Sequence, residues 1–331
     1  MNPRAKVGMI GLRGYGNVVR RGLKECRRLE LAAVWSSNPE ALERSQKELP
    51  CKACASYEAL LAEPIRAVLI INPNHLHLPY ALPAAEAGKA VLVEKPMTNT
   101  VADARRMIAA FLAKGLLLGV KHLARFAPAA RMAGTMLRRG DLGKPLSVEM
   151  MTSHSTSKTF PKDRWKRDPA VCPAAPLTQL GVHFVDTAMS LFGRPHWVQS
   201  RHRNVLGLSE NVDCTVTTIG YGETVATLHA HYVVPGYSRF AIYGTEGILI
   251  HDDAGLRFKK EGAERFEPVP VAPGDGLVEI LDAFGESLLT GAPFETDGDS
   301  SLLVVAALEA ALRSAAEDGR KVALDEVLAG S

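Results

Sequence analysis

The sequence predicts an α/β N-terminal domain, a doubly wound parallel sheet, followed by a C-terminal α+β domain with a large, mainly antiparallel open sheet. Three observations predict it. Residues 5–122 alternate short apolar strands with amphipathic helices. A glycine-rich turn, Gly11-Leu12-Arg13-Gly14-Tyr15-Gly16, follows the first strand and opens a helix, the context a dinucleotide fingerprint of the Rossmann type requires. Past Arg125 the strands lengthen and alternate polar with apolar residues, the period of a sheet with one buried face.

The elements follow in order. Residues 6–10 form the first strand and residues 30–35 the second, with a helix over 40–48. Cys51-Lys52-Ala53-Cys54 reads as a short third strand carrying two thiols; no second pair lies at zinc-finger spacing, and the motif opens no helix as a redox pair does. A short helix spans 57–61. The β-branched run 67–71 is a buried parallel strand broken by Asn72-Pro73-Asn74. A helix with Leu78, Leu82 and Ala85 at helical spacing ends at Gly88, and Ala90-Val91-Leu92-Val93 is the next strand. Glu94-Lys95-Pro96 sits just past its carboxyl end, where open parallel sheets bind ligands. An amphipathic helix over 101–114 stops at Gly115, and 116–120 is a sixth strand.

The boundary predicted on this pattern divides a dinucleotide-binding domain, 1–122, from a second, α+β domain, 123–331. The second domain opens with a helix over 128–139 and has strands over 146–153, 211–219, 224–234 and 238–243. Helices return over 277–290 and 300–318. Thr227, His229 and His231 fall on one strand face, but the sequence supplies no third ligand and no metal is predicted.

Composition bounds the function. The chain has 331 residues, 47% of them apolar, and a net charge of +3 from 39 basic and 36 acidic side chains. That balance gives no case for nucleic acid or membrane partners, and no apolar stretch approaches the ~20 residues a bilayer span needs. The first residues lack a signal-peptide pattern, and five scattered cysteines suit a reducing compartment. A cytoplasmic location is expected.

In the glycine turn, Gly11 makes the tight turn and Gly16 lets helix pack on strand, while Arg13 replaces the middle glycine. Pyrophosphate is expected on the amides of the helix N-terminus. The slot after the second strand, acidic where NAD is selected, holds Ser36, followed by Ser37. A carboxylate would repel a 2′-phosphate and a serine would donate to it, so NADP(H) is expected to be preferred, with NAD as the alternative.

Two stretches, Asn72-Pro73-Asn74-His75-Leu76-His77 and Ala87-Gly88-Lys89-Ala90-Val91-Leu92-Val93-Glu94-Lys95-Pro96, resemble the TPN-x-x-H and AGKHVL-x-EKP elements of the Gfo/Idh/MocA family of nicotinamide-dependent oxidoreductases. The resemblance runs over almost the whole chain. It assigns substrate binding and oligomerisation to the domain 123–331. It implies interconversion of an alcohol and a carbonyl on a sugar, polyol or related small molecule, and a homodimer or homotetramer built through the C-terminal sheet. It adds Asn72, Pro73, Asn74, His77, Glu94 and Lys95 to the cofactor set Gly11, Leu12, Arg13, Gly14, Tyr15, Gly16, Ser36 and Ser37. A sensor without turnover, or a lyase or glycosidase recycling its own cofactor, are the alternatives.

For the reacting centre, Lys95 is the first proton donor or acceptor; its other reading is a hydrogen bond to the nicotinamide ribose. Residues 177–186 resemble the family's D-x-G-x-H-x-x-D helix. Gly181, His183 and Asp186 match, and Gln179 stands for the first aspartate. Gln179 and His183, four apart, share a helical face. His183 is expected to be a general acid/base, Asp186 to orient it, and Gln179 to bind a hydroxyl or carbonyl, since an amide exchanges no proton. The basic loop 153–176, with His154, Lys158, Lys162, Arg164, Trp165, Lys166 and Arg167, either recognises an anionic substrate group or is solvated. Arg125-Phe126 matches the family's hinge pair, so Arg125 and Arg167 complete the substrate-binding candidates.

Overall fold

The computed structural model describes residues 3–330. They form two compact units that are discontinuous in sequence: residues up to 98, 102–126 and 274–302 in the first, and 99–101, 127–273 and 303 onward in the second. The single cut at 122 therefore does not follow the compact units. A helix far along the chain belongs to the first, because its apolar face completes that unit's core.

The first unit is built on β1 (Ala5–Ile10), α1 (Tyr15–Glu25), β2 (Leu29–Trp35), α2 (Pro39–Glu48), β3 (Lys52–Ala53), α3 (Tyr57–Leu61), β4 (Ala67–Ile70), α4 (His77–Glu86), β5 (Ala90–Val93), α5 (Val101–Leu112) and β6 (Leu118–Val120). The strands lie parallel in the order β3-β2-β1-β4-β5-β6. Strands β4 and β5 are buried at every residue, which is why their sequences are unbroken apolar runs. The order reverses between β1 and β4, and in such sheets ligands bind beyond the carboxyl ends at that point. Cys51 and Cys54 flank β3 rather than lie on it, and all five cysteines are reduced thiols.

The second unit contains α6 (Pro128–Arg139), β7 (Pro145–Ser153), α7 (Val182–Phe192), β8 (Trp197–Arg203), β9 (Cys214–Tyr221), β10 (Thr224–His231), β11 (Tyr237–Gly244), β12 (Gly247–Asp252), β13 (Gly255–Lys260) and β14 (Glu267–Pro268). After α8 (Gly276–Thr290) and α9 (Gly298–Ala316) come β15 (Val322–Ala323) and α10 (Leu324–Ala329). Helix α8 packs Leu277, Ile280, Leu281 and Phe284 into the core beneath β1 and β2. A Cβ on Gly22 of α1 would stand 2.9 Å from Leu277.

The second sheet has nine strands in the order β14-β13-β12-β11-β7-β10-β9-β8-β15. Its pairs are antiparallel except β7 with β10, which run parallel through Ser147↔Val225 to Ser153↔His231. The sequence reading missed β8, β12 and β13. Each is bounded by turns and β8 carries charge at two positions, Arg201 and Arg203, so local pattern under-reports them. On β10 burial alternates residue by residue, with Ala226, Leu228 and Ala230 inward and His229 outward.

Candidate functional site

The glycine turn is shaped by contacts only glycine permits. Gly11 has φ +81°, and a Cβ there would lie 2.3 Å from the Ile71 carbonyl carbon, since β1 and β4 emerge side by side. A Cβ on Gly16 would lie 2.0 Å from Gly11 O. Gly14, at φ +55°, has nothing within 4 Å of its would-be Cβ. Helix α1 starts without a side-chain cap and without an acidic residue in its first turn. Its positive dipole end favours an anion.

A residue absent from the sequence reading braces this turn. Arg20 is fully buried: Nη1 donates to Leu12 O at 2.7 Å, Nη2 to Asn17 Oδ1 at 2.7 Å and Nε to Glu48 Oε2 at 3.0 Å. Its signal was an arginine on the face of α1 that buries Gly16, Val19 and Leu23, a placement that requires full pairing.

Beside the turn is a cleft of about 240 Å³ lined by Leu12, Arg13, Gly14, Asn17, Asn38, Glu40, Ala41 and Arg44. Neither Ser36 nor Ser37 is among these residues. Ser36 Oγ accepts the Asn38 amide at 3.1 Å, and Asn38 Oδ1 caps α2 by accepting Ala41 N at 2.8 Å; such a cap stabilises by about 1 kcal/mol. The basic group of the cleft missed in sequence is Arg44, which shares a helical face with Ala41.

At the end of β5 the backbone turns through a cis Lys95–Pro96 bond. His77, buried at the start of α4, holds this turn: Nδ1 lies 3.0 Å from Pro96 O and 3.1 Å from Met97 O, and Nε2 lies 2.9 Å from Asn72 O. Both ring nitrogens thus face backbone carbonyls, and His77 braces the turn after β5. Burial holds its pKa below the ordinary histidine value, outweighing the carbonyls that favour the charged ring. Glu94 Oε2 accepts the Lys95 amide at 3.2 Å, and Oε1 lies 2.8 Å from Lys121 Nζ. Burial pushes the Glu94 carboxyl up, but Lys121, Lys95 and His77 together bring it below the ordinary value. Removing one partner from such a buried pair costs about 3–5 kcal/mol. Asn74 is buried, and Asn72 Oδ1 is a buried acceptor with no donor. Arg125, also buried, donates to Glu295 O at 3.3 Å.

In the second unit Gln179 lies on a π-helical turn, Pro176–Gly181, that runs directly into α7. Wider winding there alters the angle between Gln179 and His183, so the simple four-residue face is not what the backbone forms. Gly181 keeps this turn on the sheet: a Cβ would stand 3.1 Å from Leu228 of β10. Gln179 and Asp186 are buried, and His183 is partly so. The loop over 153–176 folds around Tyr232, whose ring stacks on His154 at 4.3 Å between centroids and meets Phe160 edge-on at 5.8 Å. Arg167 donates to Phe160 O at 3.2 Å and to Leu208 O, tying the loop down. No group of three or more metal-ligating side chains occurs among the described residues, and none of their helices is long and apolar enough to cross a membrane.

The first unit thus gathers the glycine turn, Asn72, Pro73, Asn74, Glu94 and Lys95 at adjoining strand ends. The nicotinamide dinucleotide expected from sequence fits what is there: an uncapped helix N-terminus behind a glycine cradle, a cleft with two arginines, and an orphaned acceptor at Asn72.

Comparison with known proteins agrees. The model of the oxidoreductase family with an NAD-binding Rossmann fold matches residues 5–122, and that of the GFO/IDH/MocA C-terminal domain matches residues 130–250. The chain is 25% identical to scyllo-inositol 2-dehydrogenase (NADP(+)) of Bacillus subtilis over 94% of each chain. It is 27% identical to D-xylose 1-dehydrogenase [NADP(+)] of Haloarcula marismortui, over 78% of this chain and 74% of the relative. The crystal structure of aldose-aldose oxidoreductase from Caulobacter crescentus, complexed with glycerol, superposes with a TM-score of 0.88 at 27% identity, covering 97% of this chain and 99% of the other.

Proposed function

The chain belongs to the Gfo/Idh/MocA family and is an NAD(P)-dependent oxidoreductase, and from that premise we propose that it interconverts an alcohol and a carbonyl on a sugar or polyol with NADP(H) as the preferred cofactor. The observation that carries the reading is Lys95, presented past the end of a fully buried strand, one strand from the sheet's switch point, and held there by Glu94 and His77. The relatives named above act on a cyclic polyol and on sugars by their names, which sets the substrate class.

When bound, the cofactor supplies or accepts a hydride at its nicotinamide ring. The protein's own groups do the rest. The amides at the start of α1 hold the pyrophosphate, and Gly14 leaves the space for it. Arg13 and Arg44 receive the 2′-phosphate; Ser36 supports them by fixing Asn38, and Ser37 is exposed beside it. Asn72 offers its amide oxygen to the nucleotide. Lys95 and His183 handle the proton that leaves or reaches the substrate oxygen. Gln179 binds a substrate hydroxyl and Asp186 orients His183. Arg125 and Arg167 serve as framework at the substrate side, since both donate to backbone carbonyls.

We assign residues 1–122 to cofactor binding and 123–331 to substrate binding and assembly. Assembly as a homodimer or homotetramer through the second sheet is supported by Val216 and its pairing partner His229, both exposed on one sheet face. Five reduced cysteines support a cytoplasmic setting. The test is turnover with a panel of polyols, aldoses and lactone-forming sugars under NADP(H) and NAD(H), followed by nicotinamide absorbance. Turnover of at least one member, faster with NADP(H), is expected. A protein that binds nicotinamide nucleotide but turns over no polyol or sugar would contradict the substrate class.

A further inference from the structure

The motif Glu94-Lys95-Pro96 has a partner that no motif announces. Lys121 follows β6 directly, and its amide donates to Val93 O at 2.8 Å, so it stands beside the end of β5. Its side chain is fully buried. Its Nζ lies 2.8 Å from Glu94 Oε1 and 4.5 Å from the centroid of the Tyr15 ring. Tyr15 is the first residue of α1, inside the glycine turn. One ammonium therefore touches both loops that build the cofactor site.

The contact continues to Lys95. Glu94 Oε1 faces Lys121 while Oε2 accepts the Lys95 amide. Both contacts need the carboxylate, because a protonated carboxyl has a hydrogen on one oxygen and would lose one of them. A buried ion pair is a costly way to hold two strand ends together, since apolar residues of similar volume do so at least as well. What the pair supplies that an apolar contact cannot is a fixed charge and direction at Glu94.

We propose that Lys121 is a positioning residue of the reaction: by clamping Glu94 and the Tyr15 ring, it sets the loop that presents Lys95 relative to the glycine turn. The inference rests on the oxidoreductase reading given above. The charged and titratable groups facing Glu94 are Lys121 after β6, Lys95 on its own loop and His77 on α4; Tyr15 on α1 faces Lys121, Glu94 and Asp275.

The test compares Lys121→Met, Lys121→Arg and the double variant Lys121→Met/Glu94→Gln with wild type. Melting of the unliganded proteins, fluorescence titration with NADPH and NADH, and the pH profile of kcat/KM are measured. Lys121→Met is expected to bind both nucleotides about tenfold more weakly, because the glycine turn and the Lys95 loop lose their common clamp. Its kcat/KM is expected to fall on the acid side at a pH where wild type is flat, as Glu94 protonates. Lys121→Arg is expected to restore the profile. If Lys121→Met does not fold, the double variant, which leaves no unpaired charge, carries the same binding prediction. A lowered melting temperature with wild-type affinity and pH profile would overturn the proposal and leave Lys121 structural. Wild type that binds neither nucleotide would instead overturn the oxidoreductase reading itself.

Discussion

The two units hold their candidate residues in different ways. In the first, each group sits at the end of a buried strand and is braced by a side chain of the same unit: Arg20 on Leu12, His77 on the backbone of residues 72, 96 and 97, and Lys121 on Glu94. In the second, Gln179 lies on a π turn and Arg167 on a loop, with an aromatic cluster around Tyr232 in place of a sheet end. The first unit thus holds its candidates on braced strand ends, and the second holds them on loops and a turn against a sheet. That division suits a family in which one cofactor serves many substrates, because loops can vary while strand ends cannot.

The largest expected effect tests the first unit. Lys95→Ala should lower kcat/KM by roughly 10⁴-fold, the upper range for a general acid or base, with the melting temperature near wild type; a loss below tenfold would break the claim that the strand end carries the proton chemistry. In the second unit, His183→Asn should cost about 10²-fold in kcat, at the lower end of that range, with nucleotide affinity unchanged. Full turnover in this variant would leave the second unit with binding roles only. Arg44→Ala should weaken NADPH about tenfold, as expected for one charge-assisted contact to phosphate, and leave NADH unaltered; equal losses for both would show that Arg44 does not meet the 2′-phosphate.

A smaller effect is carried by protons. His77 has a folded pKa below its ordinary 6.5, so the unfolded chain takes up a proton that the folded one refuses. Its contribution is present above 6.5 and is lost as pH falls from there through the folded value. Glu94, also lowered from 4.5, loses its contribution in the same direction at still lower pH. Melting of the unliganded protein should therefore drop as pH falls below 6.5, and His77→Asn should melt lower at neutral pH with a flatter slope. An unchanged slope would remove His77 as the group responsible.

Much of the first unit was legible because its rules are local. The turn from Gly11 to Gly16, the unbroken runs of β4 and β5 and the tripeptide after β5 are each decided within a few residues. Arg20, Arg44 and Lys121 were not legible, since each works through a partner brought near by the sheet: Glu48, the glycine turn and Glu94. Helix α8 is legible as a helix, but its packing into the first unit's core is not, because an apolar stripe shows that a helix is buried and not against which sheet. In the second unit the alternation of β7, β9, β10 and β11 was visible, whereas the parallel pairing of β7 with β10 depends on contacts 78 residues apart, as in Ser153 with His231. The π turn at Gln179 had no signature in the sequence beyond Pro176 and Gly181.

The central claim is tested most directly by titrating the purified, cofactor-free protein with NADPH and with NADH while following nicotinamide fluorescence. The account predicts saturable binding of both, with NADPH held more tightly. Binding of neither would contradict it.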